Sequence, residues 1–306
     1  GLPTMMATSR TIARLAARRD LEQGVRSHAQ ALLRGLSGAL NDRSPLVRRS
    51  FASTAAAVAR VADPSAVKDY CKLLARMYRD PGDDKSRMTV GTALRELLQR
   101  APDLLSSLRK TLLPLLLLAR HDDDEDIAEV FQELWSENAG TVQNGVVGHL
   151  DLLIPECVAA LGDSSWLRKR QGALSLGDIF GAAEPSTLVP HAADAAQALA
   201  DALPGRLWSG KEAVLKSLVK VWLVGSKLEA QGQRCLPEHM ASTEGFVRQT
   251  VLPEALRGAS NAYTSAALDT VVAACLSRPV EDPDDLIAEL LACVTQLRAA
   301  TEPAAS

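Results

Sequence analysis

GVRSHAQALLRGLSGALNDRSPLVRRSFASTAAAVARVA, residues 24–62, is the stretch on which the fold turns. Apolar residues recur at three- and four-residue spacing on both sides of a short polar break, NDRS at 41–44. That period belongs to an amphipathic helix; a half-buried strand would alternate every second residue. A break this short reverses the chain, so the pattern predicts two antiparallel helices, 24–40 and 45–62, joined by a tight turn.

The same unit returns along the chain. PSAVKDYCKLLARMYRD (64–80) pairs with KSRMTVGTALRELLQRA (85–101) across PGDD. LLSSLRKTLLPLLLLAR (104–120) pairs with DIAEVFQELWSENA (126–139) across an acidic turn. Residues 142–161 pair with SSWLRKRQGALSLGDIFGAA (164–183) across Gly162 and Asp163. The turn acids Asp42, Asp84, Asp124 and Asp163 fall about 40 residues apart, and Pro114 and Pro155 occupy matching places in their first helices. This is the spacing of HEAT or armadillo repeats. The second half is less regular. A fifth unit runs over 185–224 with its turn at LPGRLWSG (203–210), 225–245 reads as a loop, and a sixth unit spans 246–277 and contains Pro253. PDDLIAELLACVTQLRAA (283–300) is a last helix opening on proline and two acids, with Leu286, Ile287, Leu290, Leu291, Val294 and Leu297 on one apolar face.

The expected architecture is therefore all-α, a HEAT/armadillo-type α-solenoid of antiparallel helix pairs. It is expected as a single array over 1–306 of about six to seven repeats, with 1–20 a partial repeat, 225–245 a loop and 301–306 a frayed tail. Because Gly1 stands just ahead of a helix already inside a repeat, the chain reads as a fragment of something longer.

Composition agrees. Of 306 residues 47% are hydrophobic but only 4% aromatic, so the apolar content is mostly Leu, Ala and Val, which suits helices packed closely on helices. The net charge of −3 lacks the basic excess of a nucleic-acid binder. Cys71, Cys157, Cys235, Cys275 and Cys293 are scattered without a CxxC pair, which points to neither a disulfide framework nor a zinc site and suits a reducing, intracellular setting. The longest apolar run, LLPLLLLA at 112–119, is broken by Pro114 and far too short to span a bilayer, so no membrane insertion is expected.

Two stretches resemble ligand motifs. Gly205 to Lys211 fits GxxxxGK, most of a phosphate-binding loop, and would make the chain a nucleotide-binding enzyme. That loop requires a preceding strand and a Ser or Thr for Mg²⁺, whereas DAAQALADAL ahead of it reads as helix and Glu212 holds the metal position. Asp122, Asp124, Asp126 and Glu133 match positions 1, 3, 5 and 12 of a calcium loop, but Ile127 stands where the turn glycine belongs. The simpler reading is an acidic turn favouring the N-terminus of the next helix. No GxSxG or HExxH set is present, and none of His28, His121, His149, His191 and His239 has a ligand partner at a working spacing. Neither a cofactor nor catalysis is expected.

Basic clusters do recur early in second helices: Arg48 and Arg49, then Arg168, Lys169 and Arg170. Lining the array, they would meet acidic partner surfaces; the competing reading is that they bond their own turns. Trp166 and Trp208 near turns, with Lys211, complete the candidate partner-binding set, against the alternative that the tryptophans are core.

The opening GLPTMMATSRTIARLA, LNDRSPLVRRSFASTAAAVARVA, FQELWSE, SSWLRKRQGALSLGDI and above all LPGRLWSGKEAVLKSL together resemble, in order from residue 1 to about 225, the C-terminal part of the proteasome adaptor and scaffold family. The last 80 or so residues share only its repeat character. The resemblance implies a very large HEAT-repeat protein, non-enzymatic, that binds the 26S proteasome and bridges its regulatory and core particles. It also implies work in the cytoplasm and nucleus, and at endosome or ER surfaces through partners. Another HEAT scaffold, such as a transport receptor or a phosphatase scaffold, is the alternative within the binding class.

Overall fold

The computed structural model describes residues 1–80, 83–257 and 261–301, with the side chains of 261 and 298–301 left aside. Pro81 and Gly82 of the second expected turn, 258–260 of the sixth unit and 302–306 of the expected tail lie outside the described residues. Every regular element among the described residues is helical. Contacts divide the chain into two compact units, Gly1–Thr141 and Val142–Ser306.

The first unit holds α1 (Leu2–Ala17), α2 (Glu22–Gly38), α3 (Pro45–Ala59), α4 (Pro64–Arg79), α5 (Asp84–Arg100), α6 (Leu104–Ser107), α7 (Arg109–Ala119) and α8 (Glu125–Asn138). Partners within a pair touch: α2 with α3, α4 with α5, α7 with α8. First helices also touch first helices, α2 on α4 and α4 on α7, while α1, α3, α5 and α8 pack in succession. Two layers result, and α1 lies in the layer of α3, α5 and α8. Leu40, Leu74, Leu94, Leu97, Leu112 and Leu116 lie fully inside. Burial stabilises by roughly 1.5–3 kcal/mol per side chain of this size. Tyr78 meets Phe131 edge to face at 5.2 Å.

The turns show which residues are equivalent. Asp42 accepts from the backbone N–H of Ser44, Asp122 from that of Asp124, and Asp163 from that of Ser165. In each case the acid closes the turn two residues ahead and the later residue precedes the helix. In the second pair the N-cap is Asp83, which accepts from Ser86 N–H, and Asp84 is already helical. The repeating position is thus the N-cap, Ser44, Asp83, Asp124 and Ser165, and two of the four turn acids read from the sequence, Asp84 and Asp124, sit elsewhere in the motif than Asp42 and Asp163.

The second unit holds α9 (Val142–Val146), α10 (Leu150–Leu161), α11 (Trp166–Ala182), α12 (Pro185–Asp201), α13 (Glu212–Ala230), α14 (Thr243–Phe246), α15 (Leu252–Arg257), α16 (Asn261–Ser277) and α17 (Pro283–Thr301). The expected helix 142–161 is broken at Gly148, whose φ of +73° only glycine adopts readily. The layering repeats: α10 on α12, and α11 on α13 on α16. Small residues allow it. A Cβ at Gly172 would lie 2.6 Å from the Cys157 carbonyl oxygen, and one at Gly177 2.8 Å from Ser217 Oγ. The buried Cys157 thiol is pushed up to about 12 by desolvation.

Two expectations change here. The loop expected at 225–245 begins later, because α13 continues through Ala230. Gly225 leaves room for Leu236 to fold back on the helix, and the Glu229 carboxylate accepts from Cys235 and Leu236 N–H, pinning that return. Trp222 closes the segment, stacked on Phe246 at 4.5 Å with its indole N–H donated to the Met240 carbonyl. The single apolar face expected on α17 splits. Leu286 and Cys293 are buried, while Ile287, Leu291 and Val294 are exposed. A five-residue π segment, Val247–Val251, precedes Pro253, which has no N–H to give to the turn before it.

Candidate protein-interaction site

Six of the eight candidate contact residues lie in the second unit, on α11 and the turn that leads into α13. Ser165 caps α11 by accepting from Arg168 N–H, which sets Trp166 at the first position of the helix, half exposed. The turn 202–211 brings Trp208 against it, and the rings stack at 5.5 Å with an interplanar angle of 20°. Lys169 adds its ammonium 5.9 Å from the Trp166 ring centre while donating to the Leu161 carbonyl at 2.9 Å. Gly205 and Gly210 both sit at φ of +92°, and a Cβ on Gly210 would lie 3.2 Å from Arg170 Cδ. The most distinctive stretch of the sequence is therefore a tight turn packed on the start of α11, and it joins two tryptophans from separate repeats.

Lys211 and Arg168 do not belong to the exposed surface. Lys211 is 1% exposed. Its ammonium lies 5.7 Å from the Tyr263 ring centre and donates weakly, at 3.4 Å, to the Arg206 carbonyl. Beyond that ring, Tyr263 donates to the buried Glu254 carboxylate at 2.7 Å, and Arg257 pairs with the same carboxylate at 3.4 Å. Burial lowers the Lys211 pKa, and the nearby Glu254 charge opposes the shift. Arg168 is buried and donates to Gln171 Oε1 at 3.3 Å. Both expected partner contacts are withdrawn on this ground: their charged ends face inward, where no partner reaches. The remaining surface is Trp166, Trp208, Lys169 and Arg170, joined by exposed Arg206, which the sequence reading passed over.

In the first unit, Arg48 gives its guanidinium to the carbonyls of Asp42 and Arg43 at 2.9 and 3.2 Å, closing its own turn. Arg49 is exposed. The strongest basic contact there is Arg87, which pairs with Asp84, Asp122 and Asp123 and so ties one turn to the next.

The two ligand-like motifs have other uses. The GxxxxGK stretch follows a helix, α12, and its lysine is inside the protein rather than facing a phosphate. Of the calcium-like acids, Asp122 is buried and accepts from Tyr78, Asp124 N–H and Arg87, while Asp124 caps α8 through Ile127 N–H. Desolvation raises the Asp122 pKa, and these donors offset it in part. Of the tryptophans, Trp135 and Trp222 are core, and Trp166 and Trp208 are not.

A family model for the HEAT-repeat domain of the proteasome adapter and scaffold protein ECM29 matches residues 1–79. The human proteasome adapter and scaffold protein ECM29 is 27% identical over 239 residues, 76% of this chain and 13% of its own length. The Saccharomyces cerevisiae proteasome component ECM29 is 26% identical over 226 residues, 72% of this chain and 12% of its own. The Drosophila melanogaster proteasome-associated protein ECM29 homolog is 26% identical over 182 residues, 58% and 10%. The chain is thus similar to ECM29 proteins, by a family model at its start and by relatives over more of its length. It spans about an eighth of the length of these ECM29 relatives. The family-model match covers α1 to α4, with Arg48 and Arg49, so the Trp166–Trp208 pair lies outside that match.

Proposed function

We propose that this chain is part of a non-catalytic scaffold that holds proteins at the proteasome. The observation that carries the reading is the match to relatives described as a proteasome adapter and scaffold, a proteasome component and a proteasome-associated protein. The helix-pair layers supply extended surface, and the inward-facing Lys211 favours binding over phosphate chemistry. The finer reading is that the protein bridges the regulatory and core particles of the 26S proteasome. It would act in the cytoplasm and nucleus, and reach endosome or ER surfaces through partners.

The test is co-sedimentation of the 306-residue chain with purified 26S proteasomes. Saturable recovery with a Kd of about 10 μM or tighter is expected. No recovery above a charge-matched control protein at that concentration would overturn the assignment to this chain. Saturable ATP–Mg²⁺ binding lost in Lys211→Ala would overturn the non-catalytic part.

A further inference from the structure

We propose that the Trp166–Trp208 face is a docking site for an acidic peptide segment of a protein partner. The segment would set carboxylates against the 205–210 loop and a flat side chain, proline or aromatic, on Trp166. The inference rests on reading the chain as a protein-binding scaffold and adds the kind of partner and the residues that take it.

The loop and the rings beside it carry donors that meet no acceptor among the described residues. Among the described residues, no group accepts a hydrogen bond from the backbone N–H of any residue from Gly205 to Gly210, nor from the indole N–H of Trp166 or Trp208. Arg206 is exposed, and its guanidinium has no partner among the described residues. Lys169 spends one of its three donors on the Leu161 carbonyl. The N-terminus of α11 contributes further partial positive charge at Trp166. The acids close to these residues in sequence are mostly occupied: Asp163 accepts from Ser164 and Ser165, and Asp201 from Gln197. Glu212, half-buried at the start of α13, is the exception. A chain with net charge −3 thus presents a local surface of cations and unpaired N–H groups, and carboxylates complement both.

The aromatic part gives the shape of the partner. Trp166 is 47% exposed yet already stacked, so binding would cost little rotamer freedom. Its free surface suits a flat side chain, and Lys169 lies near the same ring. The free cations are too few for a nucleic-acid backbone, which needs several phosphate contacts. Exposed tryptophan beside arginine is also the composition of interface anchors.

The experiment is fluorescence anisotropy with the 306-residue chain and a fluorescein-labelled peptide of alternating Glu, Pro and Phe. A counterpart with Lys in place of Glu and a labelled oligo(dT) serve as comparators. Saturable binding of the acidic peptide that weakens with salt is expected. Trp166→Ala and Arg206→Glu should each weaken it by about tenfold or more. Arg34→Glu, the same charge reversal at an exposed arginine of the first unit, should leave it unchanged. Far-UV circular dichroism and the unfolding midpoint check that each variant is folded, and both mutated side chains are exposed enough for that. Equal binding of the basic peptide or the oligo(dT), no effect of either variant, or no saturable binding would each overturn the proposal. If the peptide fails to bind while proteasomes still co-sediment with the chain, this inference falls and the scaffold reading stands. If neither binds, both fall.

Discussion

Gly172→Ala should destabilise the second unit although alanine is the better helix former. Gly172 lies within α11 where that helix crosses α10, and an added Cβ would meet the Cys157 carbonyl oxygen at 2.6 Å, Ala160 Cβ at 3.0 Å and Leu161 N at 3.2 Å. Two of the three obstacles are backbone atoms, so the helices must part rather than a side chain turn aside. Overpacking of this kind costs about 1–3 kcal/mol, against a propensity gain of about 0.5–1 kcal/mol. The net is a loss of up to about 2.5 kcal/mol, or several degrees in Tm for a unit of this size. Gly181 supplies the control. It lies in the same helix, exposed, with nothing within 4 Å of its would-be Cβ, so Gly181→Ala should be neutral or stabilise by about 0.5 kcal/mol. Urea unfolding followed by far-UV circular dichroism measures both, with unchanged m-values marking true stability changes. If Gly172→Ala matched or exceeded the wild-type midpoint, the close approach of α10 and α11 would be wrong.

Other consequences are as specific. Tyr78→Phe removes a donor to the buried Asp122 carboxylate and should cost the first unit about 1–3 kcal/mol in urea unfolding, whereas a surface tyrosine change would cost almost nothing. Trp222→Ala empties a fully buried site stacked on Phe246 and should cost about 3–5 kcal/mol in the same assay. Lys211 gives a pH signature. Its folded pKa lies below its unfolded value, so between the two the unfolded chain binds the extra proton and stability rises with pH. Wild type should therefore gain stability relative to Lys211→Met as pH rises toward 10.5, the unfolded lysine value, in parallel unfolding titrations; a wild-type stability that stays level or falls relative to the variant would contradict the burial of the ammonium.

Helix pairs were legible because their apolar spacing and short polar turns are local. The positions at which α2 to α5 and α8 begin follow from residues within a few places of each boundary, such as Pro45, Pro64 and Asp124. What escaped the sequence depends on contacts far along the chain. Lys211 looks like a surface cation in its own stretch, and only Tyr263 and Glu254, in the irregular part of the chain, show that it is covered. Trp166 and Trp208 were each visible as candidates, but their stacking needs the turn after α12 to fold onto the start of α11. Gly225 reads as a loop residue until Leu236 is seen packing against it. Asp84 and Asp83 are neighbours with equal claim to the cap, and hydrogen bonding alone tells them apart.

Hydrogen exchange of the 306-residue chain, with and without saturating purified 26S proteasomes, tests the account most directly. The backbone N–H groups of 205–210 lack partners among the described residues, so they should exchange fast in the free chain. Proteasomes should slow exchange in that loop and at the first turn of α11, and Trp166→Ala should reduce the protection. Exchange unchanged everywhere in the chain at saturating proteasome would contradict the claim that it is a proteasome-holding scaffold.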